Sequence, residues 1–154
     1  MRIMVDADAC PVKDEVYKVA LRREVAVTIV SNSPIRVPQH PLIGREVVSD
    51  GFDAADDWIA ERANARSVVI TADILLADRC IKAGATVLAH NGRAFTSSSI
   101  GSQIATRAIM ADLRAGAVGE STSGRPLGGP APFSKADRSR FLSALDEALV
   151  RLSR

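Results

Sequence analysis

The chain has 154 residues, of which 47% are hydrophobic and 25% charged, and its formal net charge at pH 7 is +2. This length suits one domain with a hydrophobic core and is too short for two ordinary domains. The high apolar content excludes a largely disordered chain, and no apolar stretch approaches the roughly 20 residues that a membrane-spanning helix needs. The first residues run directly into Asp6 and Asp8 and do not form a secretory signal. We therefore expect one domain over residues 1–154, located in the cytoplasm, with no membrane partner.

The first part of the chain alternates apolar runs with a segment of helical periodicity. Arg2 to Asp6 predicts a strand, and Pro11 fits the first turn of a helix that runs to about Glu24. The mostly β-branched run Val25–Val30 then predicts a second strand. Three prolines keep the following segment extended until Arg45–Val48, which predicts a third short strand.

The second part continues this alternation, with short acidic side chains where helices are expected to begin. Asp53 and Asp73 are N-cap candidates, because such a side chain can accept hydrogen bonds from the free N–H groups of a first turn. Repeated strand-helix alternation implies a mainly parallel sheet with helices on both faces, a Rossmann-like three-layer α/β/α sandwich. The further predicted elements are a helix to Asn64, a strand Ser67–Thr71, a helix closed by Gly84, a strand Ala85–Ala89 with a turn at Asn91-Gly92, a helix of about Ser98–Ala115 and a last helix from Ser134, capped with the help of Asp137.

A segment rich in glycine, proline and serine precedes the last predicted helix. Ten of the 17 residues from Gly116 to Pro132 are of these three types, so we expect a loop over residues 116–133 and not a domain linker. Its length exceeds that of an ordinary connection, which leaves two interpretations open, a functional segment or a disordered one. A lid over a functional site is one form the functional interpretation takes.

Acidic residues follow the predicted strands at the edge where ligands bind in folds of this kind. Asp6 and Asp8 end the first strand, and their side chains point to the same side if the extended conformation persists. Asp73 comes just after the strand that ends at Thr71. Carboxylates this close raise each other's pKa unless a cation is present, and hard oxygen ligands favour Mg²⁺ or Mn²⁺. We therefore predict that Asp6, Asp8 and Asp73 are catalytic and bind such an ion.

A fourth ligand is expected from the predicted helix after Asp53, where the sequence does not decide among Asp53, Asp56 and Asp57. The predicted metal set contains Asp57 beside Asp6, Asp8 and Asp73. A purely structural interpretation stays open, because Asp53 and Asp73 can serve as N-caps and the neighbouring acids complement the helix dipole.

Carboxylates that hold divalent ions are typical of enzymes that hydrolyse phosphodiesters. Residues 1–90 carry 11 basic and 13 acidic side chains, whereas residues 91–154 carry 9 and 5. The basic second part can contact a phosphate backbone, so we predict a nuclease whose partner is nucleic acid. The predicted nucleic-acid contacts are Arg93, Arg125, Lys135 and Arg138. The sequence does not decide the oligomeric state, and a homo-oligomer remains open.

Two alternatives to a nuclease remain open. Asp6-Ala7-Asp8 after a strand resembles the start of haloacid-dehalogenase-type phosphatases, in which the first Asp is a nucleophile and the second an acid/base. That class expects a further acidic pair after its lysine, and no such pair follows Lys82 at a strand end. The other alternative is an RNA-binding protein without catalysis, which would need the basic surface but not the acids.

Three strings of the sequence together resemble the YaiI/YqxD family of uncharacterised bacterial proteins. They are VDADACPV at residues 5–12, TADILLA at residues 71–77 and GGPAPFSKADR at residues 128–138. The likeness covers nearly the whole chain, and the middle string also resembles the T-x-D-x-x-L segment of PIN-domain nucleases. The resemblance implies a PIN-like α/β/α fold and metal-dependent cleavage of RNA or other nucleic acid.

The same resemblance assigns positions to individual acids. Asp6 matches the first PIN acid and Asp73 the acid after the later strand, while Asp8 is an additional acid of this family's own motif. The helix acid of typical PIN domains is usually a glutamate, and the candidates in this chain are Asp53, Asp56 and Asp57.

Overall fold

The protein is described by a computed structural model over residues 1–8, 10–49, 51, 53–102 and 133–153. The strands are β1 (Arg2–Asp6), β2 (Ala26–Ser31), β3 (Ile43–Val47), β4 (Ser67–Ile70) and β5 (Thr86–Leu88). The helices are α1 (Lys13–Arg23), α2 (Ala54–Arg62), α3 (Ile74–Lys82), α4, which begins at residue 97 and is described to residue 102, and α5 (Lys135–Leu152).

The five strands form one sheet in the order β3-β2-β1-β4-β5, and each neighbouring pair is parallel. β1 is central, so Arg2 lies beside Ala26 on one side and Ser67 on the other. The predicted Rossmann-like three-layer α/β/α sandwich with a mainly parallel sheet is thus confirmed. All carboxyl ends of the strands meet at one edge, which is where such sheets bind ligands.

Side-chain alternation along the strands divides the core into two layers. Ile3 and Val5 of β1 are fully buried against α1 and α5, whereas Met4 is fully buried on the other face against α2 and α3. This is the period-two pattern of a strand whose two faces are both covered. Among the described residues, no helix is both long enough and apolar enough to cross a membrane.

The predicted helix caps are confirmed at two positions and wrong at a third. Asp73 accepts hydrogen bonds from the first turn of α3, and Ser134 forms a reciprocal capping box with Asp137 at the start of α5. Asp53 stands at the N-cap of α2, but its side chain makes no capping hydrogen bond. Its backbone is left-handed, with φ 65°, whereas an N-cap side chain reaches the first turn from an extended backbone.

Some predicted boundaries shift. α1 begins at Lys13, two residues after Pro11, and β3 begins at Ile43, two residues before Arg45, because it pairs there with β2. Gly84 ends the turn after α3 with φ +93°, as predicted. The rest of the predicted helix beyond residue 102 and all but the last residue of the predicted 116–133 loop lie outside the described residues.

α5 begins near the sheet edge that carries the acids. Phe141 and Leu145 are fully buried against the α1 side of the sheet. Near its start, Arg138 forms an ion pair with Glu15 in the first turns of α1. Because α1 follows the carboxyl end of β1, the beginning of α5 lies at this same edge.

Candidate functional site

An acidic pocket of about 260 Å³ lies at the carboxyl edge of the sheet. The predicted catalytic residues Asp6, Asp8 and Asp73 all line it, since β1 and β4 deliver them to the same edge. The start of α2 contributes most of the remaining lining. The polar residues around the pocket are Asp6, Asp8, Asn32, Asp53, Asp56 and Asp73.

A buried threonine connects the two acids that the strands supply. The Thr71 hydroxyl donates a hydrogen bond to Oδ2 of Asp6 at 2.8 Å and accepts one from the backbone N–H of Asp73 at 3.0 Å. Thr71 is fully buried, so this hydroxyl is held in one place by both contacts. The contact fixes the carboxylate of Asp6 relative to the start of α3.

Asp73 serves as a helix cap and as a wall of the pocket at once. Its Oδ1 accepts hydrogen bonds from the backbone N–H groups of Leu75 and Leu76, at 2.8 and 3.2 Å. Its Oδ2 has no hydrogen bond within the described part of the chain, and the same is true of Oδ1 of Asp6. The structural and functional interpretations of Asp73 are therefore compatible, because capping occupies one oxygen only.

Asp8 reaches the pocket from a turn and not from the strand. β1 ends at Asp6, and Oδ2 of Asp8 accepts a hydrogen bond from the backbone N–H of Asn32 at 3.2 Å. The Asn32 side chain in turn donates to the backbone oxygen of Ser49 at 2.9 Å. The sequence analysis missed Asn32, although its position directly after the carboxyl end of β2 is the signal that would have found it.

The helix acid that lines the pocket is Asp56 and not Asp57 of the predicted metal set. Oδ1 of Asp57 accepts a hydrogen bond from Nη1 of Arg79 at 2.8 Å, and Asp57 does not line the pocket. Adjacent helix residues point about 100° apart, so only one of the two can face inward. Asp56 lies three residues before the fully buried Ile59, and this i, i+3 spacing is the signal that favours it.

The carboxylates of the pocket disfavour each other's charge. Burial, followed by the charges of Asp73, Asp6 and Asp53, raises the pKa of Asp56 to about 6, although Arg79 opposes the rise. Burial also raises the pKa of Asp6, against the lowering effect of the Thr71 hydrogen bond, and nearby acids add to the rise. A cation in the pocket would relieve this repulsion.

The donor chemistry of the pocket fits a hard divalent cation such as Mg²⁺ or Mn²⁺, which prefers carboxylate oxygens. Within the described ranges, no three His, Cys, Asp or Glu side chains already converge at ligand distance. The acids thus share a pocket and repel one another.

The predicted nucleic-acid contacts occupy different surroundings. Arg93 and Lys135 are exposed, and neither forms an ion pair with another described residue. Arg138 pairs with Glu15 and lies over the ring of Phe133, which compensates much of its charge. None of these three basic residues lines the acidic pocket, and Arg125 lies outside the described residues.

Comparison with known proteins assigns the chain to a family. The model of the uncharacterised YaiI/YqxD family matches residues 4–151. The chain belongs to this family. A UPF0178 protein of Sphingopyxis alaskensis is 70% identical over 99% of this chain and 95% of its own length. UPF0178 proteins of Rhodopseudomonas palustris (strain TIE-1) and Nitrobacter winogradskyi are 60% and 57% identical, over 99% and 100% of this chain and 92% and 94% of their own lengths. No solved structure matches the chain at a significant level.

Proposed function

We propose that this YaiI/YqxD protein is a divalent-metal-dependent nuclease that hydrolyses phosphodiester bonds, with RNA as its substrate. The observation that carries the proposal is that Asp6, Asp56 and Asp73, from three separate elements, line one pocket at the carboxyl edge of a parallel sheet. Acids on a hydrophobic scaffold lower stability by their repulsion, and ligand binding is a reason to keep them. The resemblance of the segment around Asp73 to PIN-domain nucleases points to the same chemistry.

The residues of the pocket divide the work. Asp6, oriented by Thr71, and Asp73, oriented by its capping contacts, would hold the cation, and Asp56 completes the acidic wall from α2. Asp8, held by the Asn32 backbone N–H, extends the wall towards solvent. The chemistry that Mg²⁺ or Mn²⁺ would supply here is positive charge for the phosphodiester and a lowered pKa for an attacking water.

A phosphatase of the haloacid-dehalogenase type has less support. The lysine expected to compensate charge at an aspartyl nucleophile has one sequence candidate, Lys82, at the far end of α3. Its Nζ pairs with Asp78 at 2.9 Å, and Lys82 does not line the acidic pocket.

A non-catalytic RNA-binding protein is the second candidate. One observation favours it: among the described residues, the acids share a pocket without three of them meeting at ligand distance. In such a protein the acidic pocket has no catalytic role, and basic side chains bind the RNA.

A cleavage assay separates these candidates. Labelled single-stranded RNA is incubated with the protein in Mg²⁺, in Mn²⁺ or in EDTA, beside Asp6→Asn, Asp73→Asn and the control Asp57→Asn. We expect ion-dependent cleavage that falls roughly 100-fold or more in the first two variants, because each removes charge from the pocket. Asn is a good N-cap, so Asp73→Asn keeps the start of α3. Asp57→Asn carries the same change outside the pocket and should cleave as the wild type does.

Three outcomes contradict the nuclease proposal. Cleavage that persists in EDTA, or that is unchanged in Asp6→Asn, removes the role of the acids. Release of inorganic phosphate from a small phosphomonoester, without cleavage of RNA, supports the phosphatase. Retarded migration of RNA in a gel without cleavage under any ion, together with no heat of ion binding in calorimetry, supports the binding protein.

A further inference from the structure

A second cavity, the arginine pocket, lies at the opposite edge of the sheet, where the parallel strands begin. It has a volume of about 620 Å³ and lies where β1, β2 and β4 start and α2 ends. Arg2 and Asp6 stand at the two ends of β1, roughly 13 Å apart at about 3.3 Å per residue, so this cavity is separate from the acidic pocket. Its charged lining residues are Arg2, Glu61, Arg62 and Arg66.

The guanidinium groups here are positioned by neutral groups. Nη1 of Arg62 donates to the backbone oxygen of Trp58 at 3.0 Å, and the guanidinium lies 4.1 Å from the centroid of the Trp58 ring. Nη1 of Arg66 donates to the backbone oxygen of Leu152 at 2.6 Å. The backbone N–H of Arg2 donates to the backbone oxygen of Arg66 at 3.1 Å, which keeps these two arginines adjacent. Both guanidinium positions are therefore restricted without a carboxylate taking up the charge.

Most other arginines of the described chain are neutralised by an acid. Arg23, Arg79 and Arg138 each donate to a carboxylate, and the partners are Asp146, Asp57 and Glu15. In the arginine pocket the nearest such contact is 3.7 Å, between Arg62 and Glu61, whose side chain is 69% exposed. A pair so open to solvent contributes little, so the pocket keeps a net positive charge.

We infer that the arginine pocket binds the phosphodiester backbone of single-stranded nucleic acid. Guanidinium groups bind phosphate oxygens through two parallel hydrogen bonds, and preorganised ones lose less side-chain entropy on binding. The Arg62 guanidinium has one face on Trp58 while its side chain remains 42% exposed, and a nucleobase can stack on a guanidinium plane. The inference takes its ligand class from the proposed function, but it requires no cleavage.

The consequence is a nucleic-acid contact outside the basic second part of the chain, residues 91–154. Arg138 is engaged by Glu15, whereas Arg2, Arg62 and Arg66 have no carboxylate within hydrogen-bond distance among the described residues. A strand that reaches both the arginine pocket and the acidic pocket spans the length of β1. Binding at the arginine pocket then holds a long substrate while the acids act on another part of it.

Binding of labelled oligouridylate, measured by fluorescence anisotropy in EDTA at about 0.1 M salt, tests the inference. A slope of roughly 0.7 in log affinity against log salt for each phosphate contact on a single strand makes each lost contact worth roughly fivefold at this salt concentration. We expect Arg2→Gln and Arg62→Gln each to weaken binding by about this factor and to reduce the salt slope. Arg62→Lys keeps the positive charge but loses the planar guanidinium, so its affinity should lie between that of the glutamine variants and that of the wild type.

Arg36→Gln is the matched control, because Arg36 also forms no ion pair with a described residue but lies outside the arginine pocket. It should bind as the wild type does. Circular dichroism confirms that each variant is folded. Arg2→Gln is the variant least expected to disturb folding, since the Arg2 side chain is exposed and forms no hydrogen bond or ion pair with another described residue. Equal weakening by Arg36→Gln, unchanged binding of both pocket variants, or no binding by the wild type overturns the inference. Equal displacement by oligoglutamate of the same charge overturns the assignment to nucleic acid.

The two proposals fail separately. Oligouridylate binding that depends on Arg62 but is never followed by cleavage in Mn²⁺ leaves the arginine pocket standing and removes the nuclease. Cleavage that depends on Asp6, together with RNA binding that depends on no arginine of the arginine pocket, supports the nuclease and removes the arginine pocket as a binding site.

Discussion

Replacing Asp56 by asparagine should stabilise the metal-free protein at neutral and alkaline pH. Burial and the neighbouring acids raise the pKa of Asp56 from 3.8 to about 6 in the folded state. At about 1.4 kcal/mol per pKa unit, this rise corresponds to a ceiling of about 3 kcal/mol against the charged form. Asp56 is partly open to solvent, which screens its neighbours, so the expected gain is roughly 1–2 kcal/mol in free energy of unfolding.

The pH dependence follows from the direction of this shift. The folded state binds the Asp56 proton more tightly than the unfolded state does, so the wild type is most stable, as far as this group is concerned, below about pH 4. That stability is lost as the pH rises through about 6, whereas an asparagine at this position does not titrate and contributes no such loss. The advantage of Asp56→Asn should therefore be small at pH 4 and reach its full size by pH 8.

Urea denaturation in EDTA at pH 4, 6 and 8 measures this difference, and Asp57→Asn is its control. Asp57 carries the same charge one residue further along α2 but is paired with Arg79, so its replacement should cost between zero and about 1 kcal/mol. A gain for Asp56→Asn that is the same at all three pH values refutes the electrostatic reasoning. So does an equal gain for Asp57→Asn.

Three further predictions concern the pocket and its supports. Thr71→Val should lower the free energy of unfolding by about 1–3 kcal/mol in urea denaturation, because the Asp6 carboxylate and the Asp73 N–H both lose a buried partner. Thr71→Ser, which keeps the hydroxyl, should cost clearly less. Mn²⁺ at 100 times its dissociation constant should stabilise the wild type by about 2.7 kcal/mol in thermal denaturation, and Asp6→Asn should abolish this gain. If the wild type and Asp6→Asn gain equally, the ion binds outside the acidic pocket. Gly92→Ala should destabilise by roughly 2–4 kcal/mol, since φ is +87° and the added methyl would lie 2.6 Å from the backbone oxygen of Arg140. Gly101→Ala, where nothing lies within 4 Å, should not destabilise.

Local patterns carried the prediction of the fold and of half of the acidic site. The β-branched run of β2 favours a strand locally, and the side chains of Asp73 and Ser134 cap helices that begin at the next residue. Both effects involve only residues close in sequence, so they can be predicted without the tertiary structure. The parallel sheet follows from the alternation of elements, and it brings the residues after β1 and β4 to one edge. Asp6 and Asp73 could therefore be placed together before the fold was known.

The remaining features depend on contacts between segments far apart in the sequence. Asp56 and Asp57 differ only in which side of α2 they occupy, and the packing of Ile59 against the sheet decides that. The Thr71 hydroxyl becomes a positioning group because β1 and β4 are neighbours. Asp53 makes no capping hydrogen bond because its own backbone is left-handed in the fold, which residue type alone does not reveal.

The sequence by itself determined the alternating elements, the edge at which the acids gather and the family, because these rest on local periodicity and on residue types. Only the tertiary structure decided which charges remain uncompensated. Arg138 looks as basic in the sequence as Arg62, yet folding places a buried Glu15 beside the first and only backbone oxygen, an aromatic ring and an exposed acid beside the second. The charge available to a ligand depends on the distance to the opposite charge, and that distance is set by long-range packing.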